Sequence, residues 1–162
     1  MVSKKYTIYC DGSTRANGQA DAVGGWAYLV SIQEFGEPYQ FIGVGSAEGT
    51  TNQRMELTAA INALDKIVDE LCPFDQVEVY TDSAYLHNCY KQKWYLNWQM
   101  NGWKNSKKQP VANQDLWEKL IPYFEAPNIE FLKVKGHADN ELNNYVDELA
   151  QKASARHKEN GI

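Results

Sequence analysis

With 162 residues, the chain is long enough for one compact domain with a sizeable core and short of the usual size for two. Its 43% hydrophobic and 23% charged residues exclude a disordered chain, and its longest apolar run, Ala22 to Val30, is too short to span a bilayer. The net charge of −5 speaks against a generally cationic nucleic-acid binder, but the charge is unevenly spread. Between Ser83 and Gln114 there is no acid and there are five lysines, Lys91, Lys93, Lys104, Lys107 and Lys108, interleaved with Tyr85, Tyr90, Trp94, Tyr95, Trp98 and Trp103. A basic, aromatic segment on an acidic body is suited to a polyanion. The opening residues, Met1 to Tyr6, contain no apolar h-region, so no secretory leader is expected. Cys10, Cys72 and Cys89 are odd in number with no Cys-x-x-Cys pair, which argues against a disulfide framework or a zinc site. All three are expected as buried small hydrophobes in a reducing cytoplasm.

Tyr6 to Asp11 alternates aromatic and β-branched residues and reads as a strand, with Gly12 turning the chain after Asp11. Val23 to Gln33 and Tyr39 to Ala47 are two more strands, joined around Gly36-Glu37-Pro38. The connections are too short for crossover helices, so the three form an antiparallel meander. Asn52 to Leu71 carries Leu57, Ala60, Ile61, Leu64, Ile67, Val68 and Leu71 at helical spacing and is stopped by Pro73. Val77 to Asp82 is a fourth strand, and Ser83 caps a short helix after it. Lys91 to Pro110 reads as one or two short Trp-rich helices, then a polar loop around Asn105 to Lys108. Asn113 to Phe124 is a helix, Ile129 to Val134 a fifth strand, Gly136 to Asn140 a loop, and Glu141 to His157 the last helix. This order predicts one α/β domain spanning 1–162, with its core at about 4–157. It has a mixed five-stranded sheet, three strands antiparallel and two joined in parallel, flanked by helices on both faces.

Four carboxylates stand out in that frame. Asp11 and Asp82 end strands that become parallel neighbours, Glu56 lies in the first turns of its helix, and Asp147 flanks the apolar face of the last one. Clustered acids repel, and Mg²⁺ or Mn²⁺, which prefer hard oxygen ligands, would resolve the repulsion. Each acid alone is more simply a turn, a helix start or a surface residue. All four together are read as a metal site.

Asp11-Gly12-Ser13, Thr51 to Leu57, Tyr80-Thr81-Asp82-Ser83, Gly136-His137, Val146 to Ala150 and Pro110 to Trp117 resemble type 1 ribonuclease H. The likeness runs from about Tyr6 to Ala155 in the family's order and spacing. It implies the ribonuclease H-like fold and an endonuclease that cuts the RNA strand of an RNA–DNA hybrid, leaving 5′-phosphate and 3′-hydroxyl ends. It also implies two Mg²⁺ ions, with Mn²⁺ as the alternative, about 3.5–4 Å apart and held by Asp11, Glu56, Asp82 and Asp147. His137 would assist proton transfer or product release from its loop.

The same resemblance implies the substrate contacts. Gly12, Ser13, Asn17, Asn52 and Gln53 match residues that meet the hybrid, the last three reading the minor groove of an A-like duplex. Thr51 and Asn113 match a pocket for a DNA-strand phosphate, Trp94 and Trp98 a platform under the DNA sugars, and Lys104, Lys107 and Lys108 a basic grip. Ala84 stands where some relatives carry a polar residue, and the lysine segment is less basic than in strongly binding relatives. The expected partner is the hybrid duplex, with no membrane, and the expected state is a cytoplasmic monomer. An integrase or junction resolvase of the same fold is disfavoured by the Trp-rich segment and Asn52-Gln53. A non-catalytic binding module is disfavoured by the complete set of four acids.

Overall fold

The computed structural model describes all residues except 1, 2, 16, 18, 35, 135–140, 161 and 162. Strands β1 (Lys5–Arg15), β2 (Val23–Gln33) and β3 (Tyr39–Glu48) form the antiparallel meander. Strand β4 (Gln76–Thr81) joins the other side of β1 in parallel, and β5 (Ile129–Lys133) joins β4 in parallel, giving the order β3-β2-β1-β4-β5. The helices are α1 (Asn52–Ile67), α2 (Ala84–Gln92), α3 (Trp94–Asn101), α4 (Gln114–Glu125) and α5 (Glu141–Asn160). The expected mixed sheet is present, and period-two alternation in β1 decides what covers each face. Tyr6, Ile8 and Cys10 face the main core with Leu57, Ala60, Ile61 and Leu64 of α1 and the buried stripe of α4. On the opposite face Tyr9 packs with Ala27, Leu29, Val146 and Ala150, so α5 closes that side.

Three element ends and the burial of one cysteine differ from the sequence reading. β1 does not turn at Gly12: it runs on to Arg15 because β2 pairs with it antiparallel through Arg15↔Val23, whereas the parallel ladder to β4 stops at Tyr9↔Tyr80. Asp11 therefore lies inside a strand, two residues past the end of the parallel ladder. Asp82 follows β4 rather than ending it. The first helix tightens after Ile67 into a 3₁₀ turn, Val68–Glu70, as helix ends often do. Cys72 is exposed, unlike buried Cys10 and Cys89, because it sits in the turn that Asp75 organises by accepting from the Cys72 and Lys4 amides at 2.9 and 2.8 Å. The loop expected at Gly136 to Asn140 lies outside the described residues.

Both helices that bring acids to the sheet rest on glycine. A Cβ on Gly12 would stand 2.5 Å from the Glu56 amide nitrogen and the Met55 carbonyl carbon. One on Gly25 would stand 2.2 Å from the Ala150 carbonyl oxygen and 2.5 Å from the Ser154 amide nitrogen. These are backbone atoms, so the helix itself would have to lift. Gly12→Ala and Gly25→Ala should each cost about 1–3 kcal/mol or more in urea unfolding, the range for overpacking a tight contact. Unfolding midpoints equal to the unsubstituted chain would show that the helices yield freely.

Candidate active site

The site forms where β1 and β4 diverge. Extending the Tyr9↔Tyr80 register by two residues puts Asp11 opposite Asp82, and the stacked Tyr9 and Tyr80 rings, 5.2 Å apart, floor the space beneath them. Glu56 comes from the second turn of α1. That helix starts at Thr51, whose Oγ1 accepts from the Arg54 amide at 3.1 Å. Asp11, Glu56 and Asp82 each offer a carboxylate oxygen, all within 4.8 Å of one another. Asp147, half-buried on α5, approaches Asp11 from the other side of the sheet edge, and its Oδ2 accepts from Gln151 Nε2 at 3.2 Å. Asp11, Glu56 and Asp82 thus come together, with Asp147 beside Asp11.

Their surroundings favour protonation or a cation. Asp11 is 2% exposed, and its Oδ1 accepts from the Gly12 amide at 2.9 Å, but Oδ2 is buried with no donor aimed at it. Glu56 Oε2 is in the same state. Burial pushes the Asp11 carboxyl up to about 8, helped by the hydrogen bond with Asp147 and the charge of Asp82. Burial, then the charges of Asp11 and Asp82, push Glu56 well above the usual carboxylate range. Buried carboxylate oxygens without donors, clustered with further acids, fit a hard divalent cation. The donor set is all oxygen, and the thiol nearby, Cys10, is held protonated by burial and directs its Sγ at the Tyr80 carbonyl, 3.6 Å away.

A polar surface flanks the acids. Asn17 Oδ1 accepts from the Asn52 amide at 3.1 Å, bringing Asn17, Asn52 and exposed Gln53 together at the start of α1. Ser13 is half-buried in β1 opposite Gly25. Asn113 holds a left-handed backbone (φ 63°) at the start of α4, and both ends of its amide are engaged. Its Oδ1 accepts from Arg54 Nη1 at 3.2 Å, and its Nδ2 donates to the Tyr85 hydroxyl at 3.2 Å. Arg54 also forks onto Asp115, Nη1 to Oδ1 at 3.0 Å and Nη2 to Oδ2 at 2.8 Å. Thr51 and Asn113, 62 residues apart, become neighbours through Arg54, which the sequence reading did not single out.

The basic segment splits at Lys93, whose left-handed backbone (φ 56°) separates α2 from α3. Trp94 and Trp98 are half-buried with ring centroids 6.2 Å apart, and Trp98 continues to Trp103 at 5.7 Å and to buried Trp117 at 5.8 Å. Their packing and their outward edges coexist. The polar loop folds around Asn105: its side chain accepts from the Lys107 and Gln109 amides at 2.9 and 3.0 Å, and Lys104 bridges to Pro110. Lys104, Lys107 and Lys108 are exposed on it. A cavity of about 720 Å³ runs between this loop and α3, lined by Trp94, Asn97, Trp98, Met100, Asn101 and Lys104. His137 lies outside the described residues.

Acids clustered at the divergence of the first and fourth strands of a fold of this order offer an all-oxygen site that could hold a cation, and comparison with known proteins gives the family. The RNase H family model matches residues 3–155. Ribonuclease H of Moorella thermoacetica is 45% identical over 152 residues, 94% of this chain and 93% of that protein. Ribonuclease H of Clostridium botulinum is 43% identical over 150 residues, 93% and 95% of the two chains. The crystal structure of LC9-RNase H1, a type 1 RNase H with the type 2 active-site motif, superposes with a TM-score of 0.80 at 27% identity, covering 95% of this chain and 74% of that one. LC11-RNase H1, solved in complex with an RNA/DNA hybrid, gives 0.63 at 25% identity, covering 94% and 99%. The chain belongs to the ribonuclease H family of endonucleolytic hydrolases.

The acids set a pH dependence for the metal-free chain. Asp11 titrates near 8 when folded and at its ordinary 3.8 when unfolded, so between those values the folded chain binds more protons. Stability therefore falls as pH rises through that window, and Glu56 adds to the fall. In chelator the thermal midpoint should drop from pH 5 to pH 8. Mg²⁺ or Mn²⁺ should raise it more at pH 8 than at pH 5, and equal metal stabilisation at both would contradict the assignment.

Proposed function

We propose that this chain hydrolyses the RNA strand of RNA–DNA hybrids endonucleolytically, leaving 5′-phosphate and 3′-hydroxyl ends. The observation that carries this reading is the group of three carboxylate oxygens within 4.8 Å, two acids of which keep a buried oxygen without a donor, beside a polar groove. When bound there by Asp11, Glu56, Asp82 and Asp147, two Mg²⁺ ions, or Mn²⁺, would supply charge to activate water and steady the leaving oxygen. The chain's own residues do the rest. Asn17, Asn52 and Gln53 offer amides to groove hydroxyls and bases, which is how A-like duplexes are told apart. Gly12 and Ser13 bring backbone close to the acids. Thr51, Arg54 and Asn113 gather donors for a DNA-strand phosphate, and Trp94 and Trp98 offer ring edges to its sugars. His137, by family likeness, passes a proton or eases release, a role typically contributing ~10²–10⁴-fold to rate.

LC11-RNase H1, similar over nearly the whole chain, has been solved with an RNA/DNA hybrid, which supports the same substrate class here. A single catalytic domain spanning 1–162 that carries all four acids needs no second copy to complete its site, which supports a monomer. Two buried, unpaired thiols, Cys10 and Cys89, fit a reducing cytoplasm, and among the described residues no helix is long and apolar enough to cross a membrane.

Two tests follow from different parts of the site. Asp82→Asn preserves shape and removes a charged oxygen ligand, so cleavage of end-labelled hybrid in Mg²⁺ should collapse while binding to hybrid largely survives. Chelator should also stop the unsubstituted chain, and DNA–DNA duplex should stay intact. Vigorous cutting by Asp82→Asn, or equal cutting of DNA duplex, contradicts the reading.

The basic loop makes a separate expectation. Changing Lys104, Lys107 and Lys108 together to Gln should raise KM more than it lowers kcat. It should also flatten the salt dependence of hybrid binding by about 0.7–0.9 for each of these lysines that neutralises a phosphate. An unchanged salt slope would leave the loop as solvated surface.

A further inference from the structure

The polyanion surface described so far lies on the α1, α3 and α4 side of the acids. Another cationic group lies on the β5 side; neither the sequence reading nor the family likeness uses its Lys133 and His87, and its third member, Lys91, belongs to the basic segment already described. Lys133 ends β5 on the same face as Ile129 and Phe131, the face that α2 covers through Tyr90, whose ring is 5.0 Å from that of Phe131. It pairs in register with Thr81, the residue before Asp82, and the Val134 amide donates to the Thr81 carbonyl at 2.9 Å. Lys133 is thus one strand spacing, ~4.8 Å, from the backbone that presents a metal-binding acid.

His87 completes the group. It lies one turn into α2, its amide donating to the Ser83 carbonyl at 3.1 Å, and it precedes Tyr90 by three residues, so both side chains share a helix face. α2 packs against β5, with Tyr90 on Phe131. Lys91 is four residues further along. Burial lowers the pKa of His87, and the charges that lower it further are those of Lys91 and Lys133. The β5 register sets Lys133 beside Thr81, and one face of α2 carries His87 and Lys91, so three basic groups from two elements gather closely enough for their charges to interact, at a cost in repulsion that an anion would remove. Lys91 borders a separate cavity with Glu125 and Glu130, so part of its charge is answered there. Lys133 is exposed and His87 half-buried, an arrangement open to a ligand from solvent.

We propose that Lys133 and His87 hold a backbone phosphate of the strand that passes through the acid site, near its scissile bond, with Lys91 adding charge behind them. This rests on the hybrid-cleavage reading and extends it. The Trp and lysine-loop surface takes one strand of the duplex, and the corner formed by β5 and α2 steadies the other. Lys133 supplies the charge, and the imidazole N–H of His87 supplies a directed donor that gains charge when phosphate arrives.

The test uses fluorescein-labelled RNA–DNA hybrid bound to the full chain in the Asp82→Asn background, with hybrid cleavage by the otherwise unsubstituted chain as a companion assay. Lys133→Gln should weaken binding roughly tenfold, the scale of one charge-assisted hydrogen bond, and reduce the salt slope by about 0.7–0.9. His87→Asn should weaken binding less and leave the slope nearly unchanged. Lys119→Gln, on exposed α4 surface, serves as the charge control and should leave the slope unchanged. A set of hybrids carrying one neutral methylphosphonate each, walked along the RNA strand near the cut and along the DNA strand, locates the contact. At one RNA-strand position the methylphosphonate and Lys133→Gln should be strongly non-additive. A slope for Lys133→Gln equal to that of the unsubstituted chain overturns the proposal while hybrid cleavage stands, and so does additivity at every RNA-strand position. Non-additivity on the DNA strand alone overturns the strand assignment and with it the proposal. If the unsubstituted chain does not cut hybrid at all, the function reading fails and this inference falls with it. Circular dichroism and thermal midpoints matching the unsubstituted chain confirm that the variants are folded, and a second change, Lys133→Arg, should restore both affinity and slope.

Discussion

The seating of two helices on bare backbone is the constraint that the rest of the structure depends on. α1 touches the sheet at Gly12 and α5 touches it at Gly25, from opposite faces, with no room at either place for a methyl group. Gly12 follows Asp11 directly, and the atoms crowding it belong to Met55 and Glu56, so one contact fixes the separation of two acids. The contact at Gly25 sets the height of α5, and hence of Asp147. In a thicker packing, with side chains between helix and sheet, the acids would project from planes too far apart to share a cation. Close approach makes the site, and it also removes water from it.

That dryness works against stability. Asp11 and Glu56 sit among like charges in a poorly solvated corner, and their raised pKa values measure how unwelcome the ionised forms are there. The surrounding core is what tolerates them. Leu57, Ala60, Ile61 and Leu64 bury α1 against Tyr6, Ile8 and Val30, while Val146 and Ala150 bury α5 against Ala27 and Leu29. Burial at ~25 cal/mol per Å² of apolar surface lets such stripes outweigh a locally unfavourable acid cluster. A site strained in this way is where local rules are expected to be broken.

Much of this was legible in the sequence because the signals are short-ranged. Alternation gave β2 and β3 nearly to the residue, Ser83 declared its cap, and the apolar spacing of α1 named its buried face. The errors share one cause: they depend on partners distant in sequence. Asp11-Gly12 has the composition of a turn, but β2 extends the strand past it to Arg15. Cys72 resembles the buried thiols until Asp75 folds its turn outward. Arg54 is a first-turn residue of α1 beside Gln53, and nothing local links it to Asp115, 61 residues away. The acid in the first turn of α4, next to Asn113, was the one available hint.

The basic segment shows a different balance between backbone comfort and side-chain need. Among the described residues, the four non-glycine residues with left-handed backbone are Lys93, Trp103, Lys108 and Asn113, all between α2 and α4. Each costs about 1–2 kcal/mol relative to an ordinary conformation, less for Asn. Glycine would remove that cost at every one of them, and the chain uses glycine freely elsewhere, as at Gly102 in the same segment. What glycine would also remove is a charge at Lys93 and Lys108, a ring at Trp103 and an amide at Asn113. The geometry is held against its own strain by the Asn105 side chain, the tryptophan stack through Trp98, and the double hold on Asn113 by Arg54 and Tyr85. Strain kept at four positions where only the side chain differs from a cheaper alternative marks those side chains as the purpose of the segment. Asp11 and Glu56 are poorly solvated and set by helix seating. The cations and rings stand outside, on a backbone bent to present them.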